Sequence, residues 1–549
     1  MPNPDATSRP APVLYRNGSV YTAADPFATA MLVDGDTVAW VGSEQAATSI
    51  ADSSMEIIDL RGALVAPGFV DSHMHLTETG IALESLQLGS VTSARALLEA
   101  VAGAKGEGPV LGHGWDETTW ADPSLPTAEE LERAACGRPV YLSRVDVHSA
   151  LVSPSLAQSA DLRGQDGYDG GARVIRSAHA AARLATRKLP AEALKLHQAR
   201  ALAEAAANGY VALAEMGAPH IGGADDLRIA AEWNAQDGSA RPVPHVLPYW
   251  GQAASSEEEA RGLVAQFGGA VRGLAGDLNI DGSLGSRTAA LRTGYNDAGH
   301  DRGGLYLDVE QAAAHLAACS LAGIQGGFHV IGDAGLDVAL EALDRAAQEV
   351  GAQRVRAAGH RFEHVEMVDA AAVERLASYS VTVSAQPAFD AAWGGPGGLY
   401  ERRVGERSRS MNPFASFYAA GVPVCFGSDS PVTPLRPWSS VRACVEHHNE
   451  DERISARAAF LGHTRAGWRA ARHANPMAGQ LVPGAPASFA VWEVEELMVQ
   501  VADGRVQSWS TDPRARTPLL PALDTGSDPV CLQTVKDGAE LFASPALRS

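Results

Sequence analysis

Short β-prone runs separated by turn residues occupy both ends of the chain. Apolar segments such as residues 13–15 and 38–41 alternate with Asn-Gly and Asp-Gly turns, and the pattern returns near 484–492. Closely spaced short strands with such turns are typical of a β-sandwich or a β-meander. The pattern predicts one small β-sandwich domain built from residues 1–65 and 481–549, with a second unit inserted between its two parts.

The middle of the chain, residues 66–480, alternates helical segments with short β-prone runs. A helical pattern over 190–208, for example, leads into a strand pattern over 210–215. Such alternation predicts parallel βα units and favours an α/β architecture, a distorted (β/α)8 TIM barrel. Because the segment exceeds the roughly 250 residues of a typical barrel, we expect an insertion at about 80–185, between the first and second barrel strands.

Two histidines follow the apolar run at residues 63–66, at positions 73 and 75. In an extended strand, residues two apart point to the same face, so His73 and His75 can reach one metal ion. The His-x-His pattern alone is common, and two partly exposed loop histidines are the simpler alternative. The interpretation therefore depends on partners elsewhere in the chain.

Three further short apolar or β-prone runs end near a histidine or an aspartate, at His329, His364 and Asp429. In a β/α barrel, side chains at the C-terminal ends of the strands converge on one site. Four histidines and one aspartate are suitable ligands for a divalent metal, with Zn²⁺ as the default. The sequence therefore predicts a metal site at this edge of the barrel.

Composition narrows the function classes. The 549 residues include 44 basic and 65 acidic side chains, a formal charge of -21, which argues against nucleic-acid binding. The start of the chain has no basic and apolar leader pattern, and no apolar run approaches the ~20 residues of a membrane span. The five cysteines are scattered and lack Cys-x-x-Cys spacing, so we expect neither a disulfide framework nor a cysteine zinc site. We expect a cytoplasmic protein with a small-molecule substrate and, by analogy with other barrel enzymes only, a homodimer.

Taken together, these motifs resemble the amidohydrolase superfamily and, more narrowly, amidohydrolase family 3, which contains the N-substituted formamide deformylases. The resemblance covers nearly the whole chain. The matching segments are residues 67–75, 114–120, 139–148, 281–289, 329–333, 361–364, 386–387, 427–431 and 481–485.

The resemblance implies metal-dependent hydrolysis of a C–N bond in an amide, a formamide or a cyclic amide. His73 and His75 would bind the first metal, with His329 after barrel strand 5, His364 after strand 6 and Asp429 after strand 8. Asp429 would be both a ligand and the general acid/base, taking a proton from the attacking water and passing it to the leaving nitrogen. A metal-dependent deaminase is the nearest alternative, and a non-catalytic ligand-binding relative is a more distant one.

One departure from the family pattern leaves the number of metal ions, one or two, open. Family members usually carry a carbamylated lysine four residues before the Asp-Gly-Ser motif, and Asp277 stands there. The Asp277 carboxylate is anionic like the lysine carbamate, but the aspartate side chain is shorter, so it need not reach two metal ions. Glu215, at the end of a predicted third strand, is a second candidate ligand or else a partner behind the ligands. Without a bridge, one metal would be held as in superfamily deaminases, with His364 bonding to hydroxide or substrate; we slightly favour this version.

The sequence gives weaker indications about the substrate pocket. Arg176 stands where relatives often have glutamate, which leaves the substrate contacts there in doubt. His179 and His220 have no strand-end position, and we expect surface or core roles for them. Four residues within or beside family motifs are candidate substrate contacts, each with a purely structural alternative: His148, Trp115, Asp116 and Arg287.

Overall fold

The computed structural model describes residues 11–235, 242–500, 509–510, 518–524 and 526–548. Residues 1–10, on which the expectation of no leader partly depends, lie outside this part, as do portions of the predicted C-terminal β segment. Within the described residues, no helix is long and apolar enough to cross a membrane. The content is mixed α/β, as predicted.

Eight central strands run parallel in two sheets, one of three strands and one of five. Hydrogen bonds connect the two sheets on both sides, from Arg272 N–H to the Pro248 carbonyl (2.7 Å) and from Asp429 N–H to the His73 carbonyl (2.7 Å). In chain order, strands one to eight are Phe69–Met74, Tyr210–Gly217, His245–Trp250, Gly273–Leu274, Gln325–Val330, Arg361–His364, Thr382–Ala385 and Val424–Phe426.

Helices alternate with the central strands and cover them with small and branched apolar side chains. The helix Val309–Ala322 shows how their ends are specified: Asp308 and Gln311 form a reciprocal capping box, and Gly323 ends the helix in the left-handed conformation. The helices of this unit are Ala191–Ala207, Gly223–Glu232, Glu257–Ala265, Val309–Ala322, Asp333–Val350, Ala352–Ala358, Ala370–Ser378, Pro387–Trp393, Leu399–Val404, Phe414–Ala420, Pro437–Val445, Ala456–Gly462 and Arg465–Ala470.

Strands from both ends of the chain share one sheet of five strands, and a four-stranded sheet packs beside it. Tyr15 and Met31 of the smaller sheet meet Val65, Phe489 and Val535 of the larger one in a single apolar cluster. The five-stranded sheet has the order Ser19–Val20, Leu64–Pro67, Phe489–Glu493, Val530–Lys536, Ala539–Ala543, and the four-stranded sheet the order Thr37–Gly42, Ala30–Asp34, Val13–Arg16, Glu56–Asp59.

The apolar run before the two histidines is not part of their strand. Leu64–Pro67 belongs to the sheet formed by the chain ends, and a separate strand, Phe69–Met74, carries His73. Gly68 divides them, and a Cβ at that position would lie 2.3 Å from Val211. A second difference concerns Tyr210–Gly217, which is the second central strand rather than the third.

The segment between the first two central strands forms a five-stranded sheet with its own helices. The sheet order is Arg173–Ile175, Ser149–Val152, Val140–Arg144, Val110–Trp115, Leu86–Gln87. The helices of this segment are Leu76–Glu84, Ala94–Ala102, Ala128–Ala134, Pro154–Ser159 and Arg176–Thr186. The remaining described α-helices are Glu44–Ile50 and Pro545–Arg548, and the remaining strands form a small sheet of Trp509–Ser510, Leu497–Gln500 and Leu520–Pro521. Among the described residues, four short 3-10 helices cover Glu117–Thr119, Trp233–Ala235, Gly405–Ser410 and Glu450–Glu452.

Candidate metal centre and substrate cavity

The first central strand presents its two histidines on one face. His73 lies within the strand, and His75 follows it directly in extended conformation (φ -127°, ψ 105°), as the cap of the helix Leu76–Glu84. Their Nε2 atoms lie 3.5 and 3.3 Å from the same oxygen, Oδ1 of Asp429. The end of strand one therefore meets the segment after strand eight.

Asp277 lies at the centre of the cluster. One carboxylate oxygen is 3.5 Å from His73 Nε2 and 3.7 Å from His329 Nδ1, and the other is 3.3 Å from His75 Nε2. Three overlapping groups have ligand atoms within 4.8 Å of one another: His73 with His75 and Asp277; Asp277 with His329 and His364; His73 with His364 and Asp429. Asp277 thus belongs to two of the three groups, one with His73 and His75 and one with His329 and His364.

Hydrogen bonds orient three of the four histidines so that one nitrogen faces the cluster. In each, the outer ring nitrogen lies near an acceptor, and an N–H donated there leaves the inner nitrogen with a free lone pair. The outer contacts are His73 Nδ1 to Glu363 Oε2 (2.9 Å), His329 Nε2 to the Gly282 carbonyl (3.3 Å) and His364 Nδ1 to Gln386 Oε1 (2.7 Å). This is the arrangement that metal-binding histidines use.

The cluster also contains two carboxylates and buried polar atoms that have no hydrogen-bond partner. His73 Nε2 and Asp277 Oδ1 are buried without a hydrogen-bond partner. Burial alone would lower the pKa of His75, but the Asp429 and Asp277 carboxylates raise it to about 9. The two carboxylates thus favour positive charge between them. A divalent cation supplies that charge and occupies the free lone pairs, so these residues fit a metal site.

Glu215 lies behind this cluster. Its Oε2 accepts a hydrogen bond from Leu76 N–H (2.6 Å), at the start of the helix that follows His75. Burial raises its pKa to about 8. Among the described residues it belongs to none of the groups able to hold a metal. The geometry corresponds to the alternative in which Glu215 supports the ligands.

Two residues of the cluster have backbone conformations unusual for side-chain-bearing residues. His364 has φ 70° and Asp429 has φ 54°, both in the left-handed region. Such conformations cost about 1–3 kcal/mol each and cluster at functional sites. His364 is the last residue of the sixth central strand, and Asp429 follows the eighth by three residues, so both conformations lie where the chain leaves a strand beside the cluster.

A cavity of about 400 Å³ opens beside the cluster, with His75 and Asp277 in its wall. His148 also lines it, and its ring centroid lies 5.1 Å from that of His329. Removal from water lowers the pKa of His148 to about 3, so this imidazole is neutral at pH 7. The predicted substrate contact at His148 therefore lies between the cluster and the cavity.

The sequence pattern of the amidohydrolase family matches residues 56–542, nearly the whole chain. The chain belongs to the amidohydrolase family. This match confirms the resemblance to amidohydrolase family 3, and members of that family act on C–N bonds, generally with a metal.

Individual amidohydrolase relatives are distant. Protein LONG AFTER FAR-RED 3 of Arabidopsis thaliana is 25% identical over 519 residues, which cover 88% of this chain and 87% of that protein. The N-substituted formamide deformylase of Arthrobacter pascens is 22% identical over 460 residues, covering 78% and 83%. The crystal structure of an uncharacterized metal-dependent hydrolase from Pyrococcus furiosus superposes with TM-score 0.67 at 26% identity, covering 87% and 98%. Together they support an α/β amidohydrolase fold with a divalent metal.

Three predicted substrate contacts line neither the cavity beside the cluster nor a smaller one bounded by His329, His364 and Asp429. Trp115 is fully buried in an apolar cluster of the inserted segment and donates its Nε1–H to the Leu142 carbonyl. Asp116 pairs with Arg144 (2.6 Å). Arg287 pairs with Asp297 (2.7 Å). Trp115 and Asp116 pack within the inserted segment, and Arg287 is held in the loop after the fourth central strand, so a contact of these residues with a ligand stays a prediction.

Two histidines expected at the surface or in the core line the cavity instead. His220 follows the second central strand by three residues, and His179 belongs to the helix Arg176–Thr186. Proximity to the end of a central strand could have indicated His220. His179 could not be identified in this way, because its position depends on how the inserted segment packs over the strands.

Proposed function

We propose that this chain is a metal-dependent amidohydrolase that cleaves a C–N bond of a small-molecule amide, formamide or cyclic amide. The proposal rests on the convergence of four histidines and two aspartates, with three imidazoles held so that a lone pair faces the cluster. We further propose that the eight central strands form the distorted barrel, and that the two sheets at the chain ends form the β-sandwich.

The two sides of the cluster suggest the ligands of two metal ions. His73 and His75 would hold one ion, His329 and His364 the other, with Asp277 shared because it belongs to both groups. A divalent cation, with Zn²⁺ as the default, would polarise the substrate carbonyl and lower the pKa of water from about 15.7 towards about 7. The proposal replaces the single-metal version favoured by the sequence.

His364 fits the role of a ligand better than that of a hydrogen-bond donor to the substrate. Its Nδ1 lies 2.7 Å from Gln386 Oε1, and burial lowers its pKa well below the usual value. The imidazole is therefore neutral with its single proton on Nδ1. The Nε2 lone pair is left for a metal, and no second N–H remains for an oxyanion.

Asp429 is the proposed general acid/base. Its carboxylate shares the cluster with His73 and His75, and its backbone N–H is fixed by the His73 carbonyl. The side chain would take the proton of the attacking water and return it to the leaving nitrogen, a contribution typically worth about 10²–10⁴-fold in rate.

Metal content of the purified protein tests the ligand assignment. We expect about two zinc equivalents per chain by elemental analysis, falling in Asp277→Ala, because the shared carboxylate belongs to both groups. Asp225→Asn, which changes an exposed carboxylate, is the control and should keep the wild-type content. One equivalent, unchanged by Asp277→Ala, would contradict the bridge and favour a deaminase-like site. A metal-free protein would contradict the proposed function.

Hydrolysis of simple N-formyl and N-acyl amines tests the reaction. Asp429→Asn keeps the shape of the side chain but removes its basicity, so we expect turnover to fall at least about 10²-fold with unfolding unchanged. Asp225→Asn, on an exposed helix, is the control and should keep full activity. Wild-type activity in Asp429→Asn would exclude the proton-transfer role.

A further inference from the structure

We propose that Arg176 and Arg183 form a carboxylate-binding recess in the cavity, so that the preferred substrate is an amide bearing a carboxylate away from the scissile bond. This inference rests on the proposed function and names the substrate class of that site. Both arginines lie on the helix Arg176–Thr186 and line the same cavity as His75 and Asp277.

One face of this helix forms a wall of the cavity. The lining positions recur at helical spacing: Arg176, Ser177, His179, Ala180 and Arg183. Positions three, four and seven apart lie on one side of an α-helix. The two guanidinium groups therefore belong to a single surface, and small residues between them leave space for a ligand.

Arg183 is a buried cation that forms no close ion pair with a described acidic side chain, although its charge helps to lower the pKa of Glu78. Only 8% of the residue is exposed, and one nitrogen, Nη2, donates to the Val147 carbonyl at 2.5 Å. Its Nε is buried without a hydrogen-bond partner. No described acidic side chain lies within the 4.0 Å ion-pair distance of its nitrogens. A buried charge is costly unless it is paired, and the cavity is the place from which a partner can come.

Arg176 is the first residue of the same helix, and a positive side chain at this end does not stabilise a helix. The N-terminal end of a helix carries partial positive charge and favours anions. The backbone of Arg176 has φ 52°, and its nearest described anion is Asp166 at 3.4 Å, with both side chains partly exposed. Folding alone therefore gives little reason for an arginine here, whereas an anion in the cavity would be attracted by both the side chain and the helix end.

The other charged and titratable groups of the cavity wall do not cancel the positive charge of the two arginines. Glu78 is bonded to Arg187 at 2.6 and 2.7 Å, and although burial opposes it, that guanidinium lowers the pKa of Glu78 to about 2. His148 is neutral, and burial lowers the pKa of His220 to about 4 and that of His179 well below its usual value. Because Arg187 neutralises Glu78, and His75 and Asp277 belong to the metal cluster, Arg176 and Arg183 are the charged side chains of the wall that remain for a ligand.

A matched set of three amides tests this inference: N-formylbenzylamine, 4-(formamidomethyl)benzamide and 4-(formamidomethyl)benzoate. The last two differ mainly in charge. With the metal-loaded protein, we expect kcat/KM for the benzoate to exceed that for the benzamide by at least about tenfold. In Arg183→Met and Arg176→Met, that ratio should approach one. Arg345→Met, which removes an exposed arginine from the helix Asp333–Val350, is the control and should keep the wild-type ratio.

The outcomes separate the two proposals. Turnover of all three amides without a preference for the benzoate, or a preference unchanged in Arg183→Met, would overturn the recess and leave the amidohydrolase function standing. If no amide is hydrolysed, the proposed function fails, and calorimetry with 4-methylbenzoate against 4-methylbenzamide decides the recess alone. Loss of 4-methylbenzoate binding in Arg183→Met would support the recess. The recess would be overturned if the wild-type protein did not bind 4-methylbenzoate, or if Arg183→Met bound it equally well.

Discussion

At the residue scale, the orientation of His73 depends on a buried charge pair behind it. Glu363 accepts from His73 Nδ1 and receives two hydrogen bonds from Arg361, at 2.6 and 2.8 Å. All three side chains are buried. The pair therefore keeps the His73 proton on Nδ1 and the Nε2 lone pair in the cluster.

We predict that Glu363→Gln lowers metal affinity about 10–100-fold, because the amide no longer fixes the imidazole and its proton. Loss of the carboxylate also leaves the Arg361 charge buried and unpaired, which should cost about 3–5 kcal/mol of unfolding free energy. Competition with a chromogenic chelator and urea denaturation measure the two effects. Glu341→Gln, at an exposed ion pair, is the control; equal metal affinity in both variants would exclude the orienting role.

At the scale of elements, the turn at residues 283–286 contacts the inserted segment beside the site. Asp146 accepts hydrogen bonds from Ser283 (2.5 Å) and Ser286 (2.7 Å). Gly285 permits this approach, because a Cβ there would lie 2.5 Å from Arg144 Nη1 and 2.6 Å from Asp146 Oδ2. The turn thus fixes the loop that carries His148 over the site.

Gly285→Ala should therefore displace this contact, costing about 1–3 kcal/mol of stability as overpacking does. We expect kcat/KM to fall by roughly tenfold or more, because misplacement of site residues by about 1 Å can cost about 100-fold. Gly262→Ala is the matched control, since its Cβ would meet nothing within 4 Å in an exposed helix; it should stabilise by about 0.5–1 kcal/mol. If the two variants behave alike in unfolding and turnover, the turn does not hold the segment.

At the scale of the whole molecule, the periodicity of the sequence predicts helices and strands but not how they pack together. Alternation predicted the helix Ala191–Ala207 and the strand after it, and motif spacing singled out Asp277. The division at Gly68 was missed because apolar residues continue on both sides of it. Trp115 was misassigned because a motif does not reveal which face of a segment is buried. His179 reaches the cavity only through long-range packing, which local sequence does not encode.

Buried neutral histidines throughout the molecule should make it sensitive to acid. His315 accepts a hydrogen bond from Ala254 N–H and its Nε2 lies 3.0 Å from the Leu274 carbonyl, so a second proton would break the first bond. Burial lowers its pKa to about 4 and that of His360 to about 3. In the unfolded chain both titrate near 6.5, so the unfolded state binds more protons between these values.

The contribution of these two imidazoles to stability should consequently be complete above about pH 6.5 and fall as the pH drops towards 4, by up to about 1.4 kcal/mol per pH unit for each imidazole. Thermal unfolding midpoints between pH 7.5 and 5 measure this slope. His315→Gln removes one titrating group, so it should reduce the change of stability with pH by the contribution of one imidazole, whatever its effect on absolute stability. His300→Gln, at an exposed position, should leave the slope unchanged. A slope that is the same in both variants would show that His315 does not couple folding to protonation.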